Sequence, residues 1–346
     1  MKKIAVMTGG GDCPGLNAVV QAVVRSGLWY GFETFGILNG WQGLIEGELV
    51  PLTGRSVSGI TTLGGTILGT SRIDPLKKPG DVEKIGTTIN TYGINGLVVV
   101  GGNGTLSAAY ELAARGIPLI GIPKTIDNDI SGTDLAVGFD TAVSIVTEAI
   151  DRLHTTAESH HRIMVVETMG RDSGWIALMS GIAGGADVIL IPEIRFTMDE
   201  VCKDLKDRYS AGKKFSIVVV AEGTHHEDIA GEEVPECNRD ECGHERFVGV
   251  GNLLGKELEH RLGIETRVTV LGHVQRGGTP TAFDRILATR FGVSAVEQIA
   301  ADNTGCMVAL NGRRVGTVPL REVASRIKPI PPEMYHCAKK VMNGKG

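Results

Sequence analysis

The amino-acid sequence repeats one local pattern: a short apolar run, a loop rich in glycine or acids, and then a helix-forming segment. Lys3–Thr8 precedes three glycines and an apolar-faced helix from Leu16 to Arg25. Residues 96–100 precede Gly101–Thr105 and a second such helix. Repeated strand, loop and helix units of this kind predict an α/β fold with mostly parallel, doubly wound sheets.

The same alternation resumes after about residue 138. Apolar runs near residues 162–167, 215–221 and 266–271 end in polar loops, with helical segments between them. A second Rossmann-like, three-layer domain is therefore expected after the first. The polar segment 224–246 is expected to be a surface insertion, and its residues His225, His226, Cys237, Cys242 and His244 could instead clip a metal ion.

Composition excludes several function classes. The net charge of −5 and the lack of a basic block argue against a nucleic-acid partner. The N-terminal apolar run is too short for a signal peptide or a membrane span. The six cysteines are scattered along the chain, which is typical of reduced thiols. A cytoplasmic location is therefore expected.

The segment Pro123–Asp129 follows the apolar run at residues 118–122 and carries two acids. Ligands of open α/β sheets bind at the carboxyl ends of the strands, so both carboxylates can face one site. One of Asp127 and Asp129 could accept a proton while the other holds Mg²⁺. The alternative interpretation is a turn in which Asp and Asn cap their own backbone.

Eight motifs in order along the chain resemble the ATP- or pyrophosphate-dependent 6-phosphofructokinase family. They are the segments 9–17, 70–72, 101–105, 123–129, 138–141, 169–171, 221–223 and 271–278. The resemblance implies phosphoryl transfer to the 1-hydroxyl of fructose 6-phosphate. It also implies a donor domain of residues 1–138 with about 276–325, and a sugar domain of residues 139–275 with about 326–346.

The resemblance assigns roles to individual residues. Asp127 would receive the hydroxyl proton, Thr125 would position the phosphoryl group, and Arg72 and Arg171 would neutralise its charge. The donor would be bound by Gly11, Trp41, Arg72, Gly102, Asn103, Gly104, Thr105 and Lys124. The sugar phosphate would be bound by Thr125, Asp127, Asp129, Arg162, Met169, Gly170, Arg171, Glu222, Arg267, His273 and Arg276. The family counterparts of Arg162 and Arg267 reach in from a neighbouring subunit, which implies a homodimer or homotetramer with shared active sites.

The choice of phosphoryl donor depends on three positions. Gly104 leaves room for the nucleotide, and Trp41 lies where an aromatic ring could stack on adenine. Lys124 is typical of pyrophosphate users, although glycine and lysine occur together in some ATP-using branches. ATP is therefore the expected donor, and pyrophosphate is the alternative.

Two departures from the family pattern have consequences. Asn103 stands where the family usually has an aspartate near Mg²⁺, so metal binding by Asn103 and Asp129 should be weakened. Gln21, Gly54 and His154 replace basic residues of the bacterial effector pocket, although Arg25 and Lys213 remain. Regulation by ADP and phosphoenolpyruvate is therefore expected to be weak or absent.

Other classes of function fit less of the sequence. A non-catalytic regulatory paralogue would explain Asn103, but the acids and arginines of the site are present. A lipid or NAD kinase shares the type of turn seen at 101–105 but lacks the sugar-phosphate loops. Use of sedoheptulose 7-phosphate stays open.

Overall fold

The structure, a computed structural model, describes residues 1–225 and 249–342. The strands are β1 Lys3–Thr8, β2 Glu33–Ile37, β3 Leu49–Leu52, β4 Gly96–Gly101, β5 Leu119–Pro123, β6 Ile163–Thr168, β7 Val188–Leu190, β8 Ser216–Ala221, β9 Thr266–Val270, β10 Cys306–Asn311 and β11 Arg314–Pro319. The α-helices are α1 Leu16–Trp29, α2 Trp41–Glu46, α3 Asp81–Tyr92, α4 Asn103–Ala114, α5 Phe139–His160, α6 Trp175–Ala183, α7 Met198–Ser210, α8 Val250–Leu262, α9 Ala282–Ala300, α10 Leu320–Val323 and α11 Pro332–Met342.

The chain divides into two compact units. Unit 1 is Met1–Thr141 with Arg276–Lys328, and unit 2 is Ala142–Gln275 with Pro329–Gly346. None of the described helices combines the length and the hydropathy needed to cross a bilayer.

Unit 1 contains a seven-stranded sheet in the order β11-β10-β5-β4-β1-β2-β3. The five central strands run parallel, and β3 and β11 pair antiparallel at the two edges. Strands β1 and β4 are neighbours although a long stretch of chain separates them, so the winding direction reverses between them. This reversal is the switch point at which open sheets bind ligands.

Unit 2 contains a four-stranded sheet, entirely parallel, in the order β7-β8-β6-β9. Strand β6 is the first of the four in the chain and lies between β8 and β9, so this sheet also has a switch point. The predicted α/β fold with mostly parallel, doubly wound sheets is confirmed for both units.

The strands are apolar runs that are covered on both faces, as parallel sheets require. Residues 97–100 of β4 are at most 1% exposed, and residues 217–221 of β8 are fully buried. Side chains of this kind stabilise each unit by roughly 1.5–3 kcal/mol apiece on burial. The two sheets therefore fix where the loops at their carboxyl ends begin.

A buried carboxylate fixes the first turn of α5. Asp284, fully buried on α9, accepts hydrogen bonds from the Gly138 amide at 2.9 Å and from the amide and hydroxyl of Thr141 at 2.8 and 2.5 Å. Gly138 has a φ of 101°, and a Cβ there would lie 2.4 Å from the Cys13 sulfur. The Gly-Phe-Asp-Thr motif at 138–141 is therefore explained by packing.

Candidate active site

The first glycine turn follows β1 at the switch point of unit 1. The Gly10 amide donates to the Ser71 carbonyl at 3.0 Å, and the Thr70 hydroxyl donates to the Gly10 carbonyl at 2.6 Å. These two bonds place the segment that ends in Arg72 beside the turn. Arg72 is exposed, so a ligand can approach its guanidinium.

The ammonium of Lys124 fixes the other side of this turn. Lys124 is 2% exposed, and its Nζ donates to the Gly9 carbonyl at 2.9 Å and the Gly11 carbonyl at 2.5 Å. Burial lowers the pKa of this ammonium. With these carbonyls facing the lysine, the Gly11 amide makes no hydrogen bond to any described part of the chain and can donate to a ligand.

The second glycine turn follows β4 and opens helix α4. Gly102 is its N-cap and provides no side-chain cap, so the amides of the first turn can bind an anion. Gly104 is exposed, and a Cβ built on it meets no atom within 4 Å. Thr105 instead is buried, and a Cβ on Gly9 or Gly101 would contact its side chain at 2.9 or 2.4 Å. The two glycine turns therefore pack against each other through Thr105.

The acidic loop begins where β5 ends, beside both turns. The Asp127 amide donates to the Thr125 hydroxyl at 3.1 Å, and that hydroxyl lies 3.3 Å from the Asp127 carboxylate. Asn128 adopts a left-handed φ of 51° and is buried, and its Oδ1 accepts from the Ala136 amide at 3.0 Å. Anchoring Asn128 inward leaves Asp127 and Asp129, two residues apart, half-exposed on the other side.

The two residues predicted to hold metal are in contact. The Asn103 Nδ2 donates to the Asp129 Oδ2 at 2.7 Å. The Asn103 Oδ1 is buried and has no hydrogen-bond partner in the described chain. An orphaned amide oxygen beside a carboxylate fits the oxygen ligands that Mg²⁺ takes, with donor phosphates and water completing its shell. Asn103 and Asp129 are therefore suited to hold the ion.

The role expected for Trp41 needs correction. Its indole is 2% exposed and packs in the hydrophobic core of unit 1 with Leu44 and Ile37. A ring enclosed in this way has no free face to stack on adenine. Trp41 is therefore a core residue and not a nucleotide contact in this structure.

Arg276 lies against the first glycine turn. Its Nη1 donates to the Asp12 carbonyl at 3.3 Å, and a Cβ on Gly11 would lie 2.7 Å from the same atom. Its Nε is buried without a hydrogen-bond partner in the described residues. The arginine that the resemblance assigned to the sugar phosphate therefore also touches the turn assigned to the donor.

Unit 2 brings together four of the predicted sugar residues, Met169, Gly170, Arg171 and Glu222. The Glu222 amide donates to the Thr168 carbonyl at 2.9 Å, and the Gly223 amide donates to the Gly170 carbonyl at 3.0 Å. Gly170 has a φ of 137°, a conformation that favours glycine. The Arg171 Nε is buried without a hydrogen-bond partner among residues 1–225 and 249–342. Buried polar atoms normally have a partner, so a bound anion is a suitable acceptor for this guanidinium.

Arg162 and Arg267 lie at the opposite, amino end of the same sheet. Arg162 precedes β6, and Arg267 pairs with Met164 at the start of that strand. Glu265 joins the two guanidinium groups: its Oε2 accepts from Arg162 at 2.6 Å and its Oε1 accepts from Arg267. At about 3.3 Å per residue, Arg162 is roughly 20 Å from Met169. One copy of unit 2 therefore does not bring these two arginines to the loop of Met169.

Gln275 was missed by sequence reasoning. It is fully buried, and its Oε1 accepts from the Met169 amide at 3.2 Å while its Nε2 donates to the Gly272 carbonyl at 2.9 Å. This one amide joins the Met169 loop to the loop of His273, which is exposed. A glutamine within Gly-His-Val-Gln-Arg was the available signal, because a buried amide needs partners.

The possible metal site of segment 224–246 lies almost entirely outside the described residues. His226, Cys237, Cys242 and His244 lie outside the described residues. Within the described residues, no group of three or more histidines, cysteines or acids is placed to hold a metal ion.

A family model described as Phosphofructokinase matches residues 3–299. The chain belongs to the phosphofructokinase family. This result confirms the resemblance seen in the eight motifs.

Relatives of this phosphofructokinase carry both donor names. It is 53% identical over 336 residues to a pyrophosphate–fructose 6-phosphate 1-phosphotransferase of Streptomyces coelicolor, covering 96% of this chain and 97% of that protein. It is 48% identical over 342 residues to ATP-dependent 6-phosphofructokinase 3 of the same organism, covering 98% and 100%. It is also 49% identical over 336 residues to an ATP-dependent 6-phosphofructokinase of Mycobacterium leprae, covering 96% and 97%.

Solved structures agree with the fold. Pichia pastoris phosphofructokinase in the T-state superposes with a TM-score of 0.83 at 33% identity, and the match covers 98% of this chain and 36% of that longer chain. A pyrophosphate-dependent phosphofructokinase from Nitrosospira multiformis superposes with a TM-score of 0.85 at 21% identity, covering 99% and 91%, which supports the fold alone.

Proposed function

We propose that this phosphofructokinase transfers a phosphoryl group from ATP to the 1-hydroxyl of fructose 6-phosphate, giving fructose 1,6-bisphosphate in glycolysis. The observation that carries the proposal is the convergence of three loops in unit 1. The loop of Asp127 contacts the first glycine turn through Lys124, at 2.5 Å from the Gly11 carbonyl, and contacts the second through the 2.7 Å bond between Asp129 and Asn103. These contacts support the proposal because the acidic loop lies beside two glycine turns whose backbone amides are of a kind that can bind phosphate.

The donor phosphates are assigned to unit 1. The Gly11 amide and the N-terminus of α4 donate to phosphate oxygens, and Arg72 adds a permanent positive charge. Thr125 positions the phosphoryl group. Phosphoryl transfer needs little covalent work from a protein, so most of the rate comes from positioning and from neutralising charge.

Asp127 accepts the proton of the attacking hydroxyl. Its carboxylate is half-exposed, so a sugar hydroxyl can approach it. Asn103 and Asp129 would hold Mg²⁺, which when bound neutralises the charge of the donor phosphates. Arg171 stabilises the phosphoryl group in transit, and its unpaired Nε is consistent with that role.

The sugar is assigned to unit 2. Met169, Gly170 and Glu222 contact its ring and His273 contacts its phosphate, while Arg276, which belongs to unit 1, is assigned to the same phosphate. Arg162 and Arg267 contribute to the phosphate site of another copy, because they lie roughly 20 Å from their own Met169 loop. We therefore propose a homodimer or homotetramer in which neighbouring chains share active sites.

Two observations favour ATP over pyrophosphate. No atom of residues 1–225 and 249–342 lies within 4 Å of a Cβ placed on Gly104, so the space that this glycine leaves is available to a ligand larger than pyrophosphate. The ammonium of Lys124 is bonded to the carbonyls of Gly9 and Gly11, so the glycine turn explains this lysine without a pyrophosphate contact.

Pyrophosphate remains the second candidate donor. The similarity to the Streptomyces coelicolor protein with a pyrophosphate name is the observation in its favour. Only the phosphate-binding amides of the two glycine turns would then be used, and the transfer would be reversible. A cytoplasmic location belongs to the same proposal, since glycolysis runs there.

A coupled assay of fructose 1,6-bisphosphate formation tests the proposal. The purified protein is supplied with fructose 6-phosphate and Mg²⁺, and ATP and pyrophosphate are compared side by side. We expect a higher kcat/KM with ATP. Faster turnover with pyrophosphate would reverse the donor assignment, and no product with either donor would contradict the function and favour a regulatory paralogue.

A further inference from the structure

The segment that closes unit 1 makes an unusual set of contacts with the acidic loop. The Lys328 amide donates to the Asp129 carbonyl at 2.7 Å. Its Nζ donates to the Thr133 carbonyl at 3.0 Å and to the Asp134 carbonyl at 2.8 Å. Ile327 and Ile130 also form an antiparallel bridge. The Lys328 amide bond belongs to this bridge, so residues 327 and 328 hold the loop 129–134 by one backbone bridge and two ammonium bonds.

These contacts include Asp129, the residue assigned to Mg²⁺. Asp129 is bonded through its backbone to Lys328 and through its carboxylate to Asn103. Outer contacts of this kind orient a metal-binding carboxylate, and losing one typically weakens metal binding or activity by about 10- to 100-fold. The backbone bond can be made by any residue except proline, whereas the two side-chain bonds need a long cationic donor such as lysine or arginine.

The ammonium is held in a partly buried place. Thr133, whose carbonyl accepts one of its bonds, is 4% exposed. A buried carbonyl that loses its hydrogen-bond donor destabilises the folded state by roughly 1–3 kcal/mol. The loop would then have to rearrange to reach water, and Asp129 would move with it.

We propose that Lys328 is a positioning residue of the phosphoryl-transfer site, which holds the loop 129–134 so that the Asp129 carboxylate faces the metal. The inference rests on the proposed function. Lys328 lies beyond the residues 3–299 that the family model matches, so the family assignment does not supply this role.

Binding of Mn²⁺ as a paramagnetic probe tests the proposal without turnover. Free Mn²⁺ is measured by electron paramagnetic resonance in the presence of ADP, for the full chain and for Lys328→Met, Lys328→Gln and Lys328→Arg. We expect Mn²⁺ binding to weaken about 10- to 100-fold in Lys328→Met and to be largely restored in Lys328→Arg. Lys339→Met, an exposed lysine of α11, is the matched control and should bind Mn²⁺ as the unchanged chain does.

Kinetics separate positioning from a general loss of stability. In Lys328→Met we expect the Mg²⁺ concentration for half-maximal rate to rise and kcat to fall, with the KM for fructose 6-phosphate unchanged. Mn²⁺ binding and kcat unchanged in Lys328→Met would overturn the proposal. If that variant does not fold, the comparison of Lys328→Gln with Lys328→Arg decides, and equal Mn²⁺ affinities in the two would overturn it. A failure of the proposed function can be told apart from a failure of this inference. In the first case the unchanged chain makes no fructose 1,6-bisphosphate, whereas Mn²⁺ binding by the variants can still be compared.

Discussion

At the scale of single residues, the proposed choice of donor depends on Gly104. It is the second residue of helix α4, and a Cβ built on it meets no atom of the described chain within 4 Å. Protein packing does not require this glycine, and it lies in the first turn of α4 beside the acidic loop, so we assign the open space there to the donor.

Substitution of Gly104 by Asp should switch donor preference. The new carboxylate would crowd and repel the phosphates of a nucleotide, so we expect kcat/KM for ATP to fall about 100-fold, while that for pyrophosphate changes much less. Gly86→Asp on helix α3 is a matched control, since a Cβ at Gly86 also meets nothing within 4 Å. Equal losses with both donors would contradict the assignment of position 104.

Substitution of Asn103 by Asp should tighten metal binding. The 2.7 Å bond to Asp129 becomes a contact between two carboxylates, which repel each other until a cation neutralises them. We expect the apparent Mg²⁺ affinity to rise about tenfold, equivalent to about 1.4 kcal/mol. The melting temperature should fall in EDTA and recover with Mg²⁺, whereas the exposed Asn90→Asp should do neither. A Mg²⁺ titration that leaves rate and melting temperature unchanged counts against a metal role for position 103.

At the scale of elements, the carboxyl ends of the strands could be predicted from the sequence and the loop-to-loop contacts could not. The segments of β1, β4 and β5 are apolar, contain β-branched residues and end at glycine or proline, so the sequence predicts where these strands end. Lys328 and Gln275 contact loops that lie far away in sequence, and no local pattern indicates which distant loop either of them contacts.

Helix α3, the hairpin of β10 and β11 and the burial of Trp41 were not predicted, each for an identifiable reason. Helix α3 follows a lysine- and proline-rich stretch that hides it, although Asp81 and Glu83 in its first turn are typical of a helix start. The hairpin of β10 and β11 turns through Gly312, at a φ of 58°, and the Asn311-Gly312 pair was its signal. The burial of Trp41 had no local signal, because an aromatic residue after a glycine fits a core and a binding site equally well.

Gln275 offers a test of how the sugar loops are held. In Gln275→Met the Met169 amide and the Gly272 carbonyl lose a buried partner, which costs roughly 1–3 kcal/mol each. We expect the KM for fructose 6-phosphate to rise about tenfold while the KM for the donor stays unchanged, as measured by varying each substrate in turn. A rise in both KM values together would show that Gln275 supports the fold and not the sugar site.

At the scale of the whole molecule, the account requires more than one chain for each complete site. The Met169 loop and the pair Arg162 and Arg267 occupy opposite ends of one sheet, and strands are rigid over that length. No movement of a loop joins the two groups within one sheet.

Mixing two inactive variants should therefore restore activity. Asp127→Asn and the double variant Arg162→Ala with Arg267→Ala are each expected to be nearly inactive. When the two are co-expressed in equal amounts, random assembly gives about one quarter of the sites an intact Asp127 from one chain and intact arginines from another. Activity of the mixture no higher than the average of the two variants would contradict shared sites.

The central claim is that the Asp127 carboxylate takes the proton of the sugar hydroxyl during phosphoryl transfer. Asp302→Asn, which alters only an exposed ion pair with Lys2, is the control for a lost charge. The direct measurement is kcat of Asp127→Asn at saturating ATP, Mg²⁺ and fructose 6-phosphate, with the KM of each substrate determined alongside. The account predicts that kcat falls about 10²- to 10⁴-fold while the KM values change little. A kcat within about threefold of the unchanged chain would contradict it.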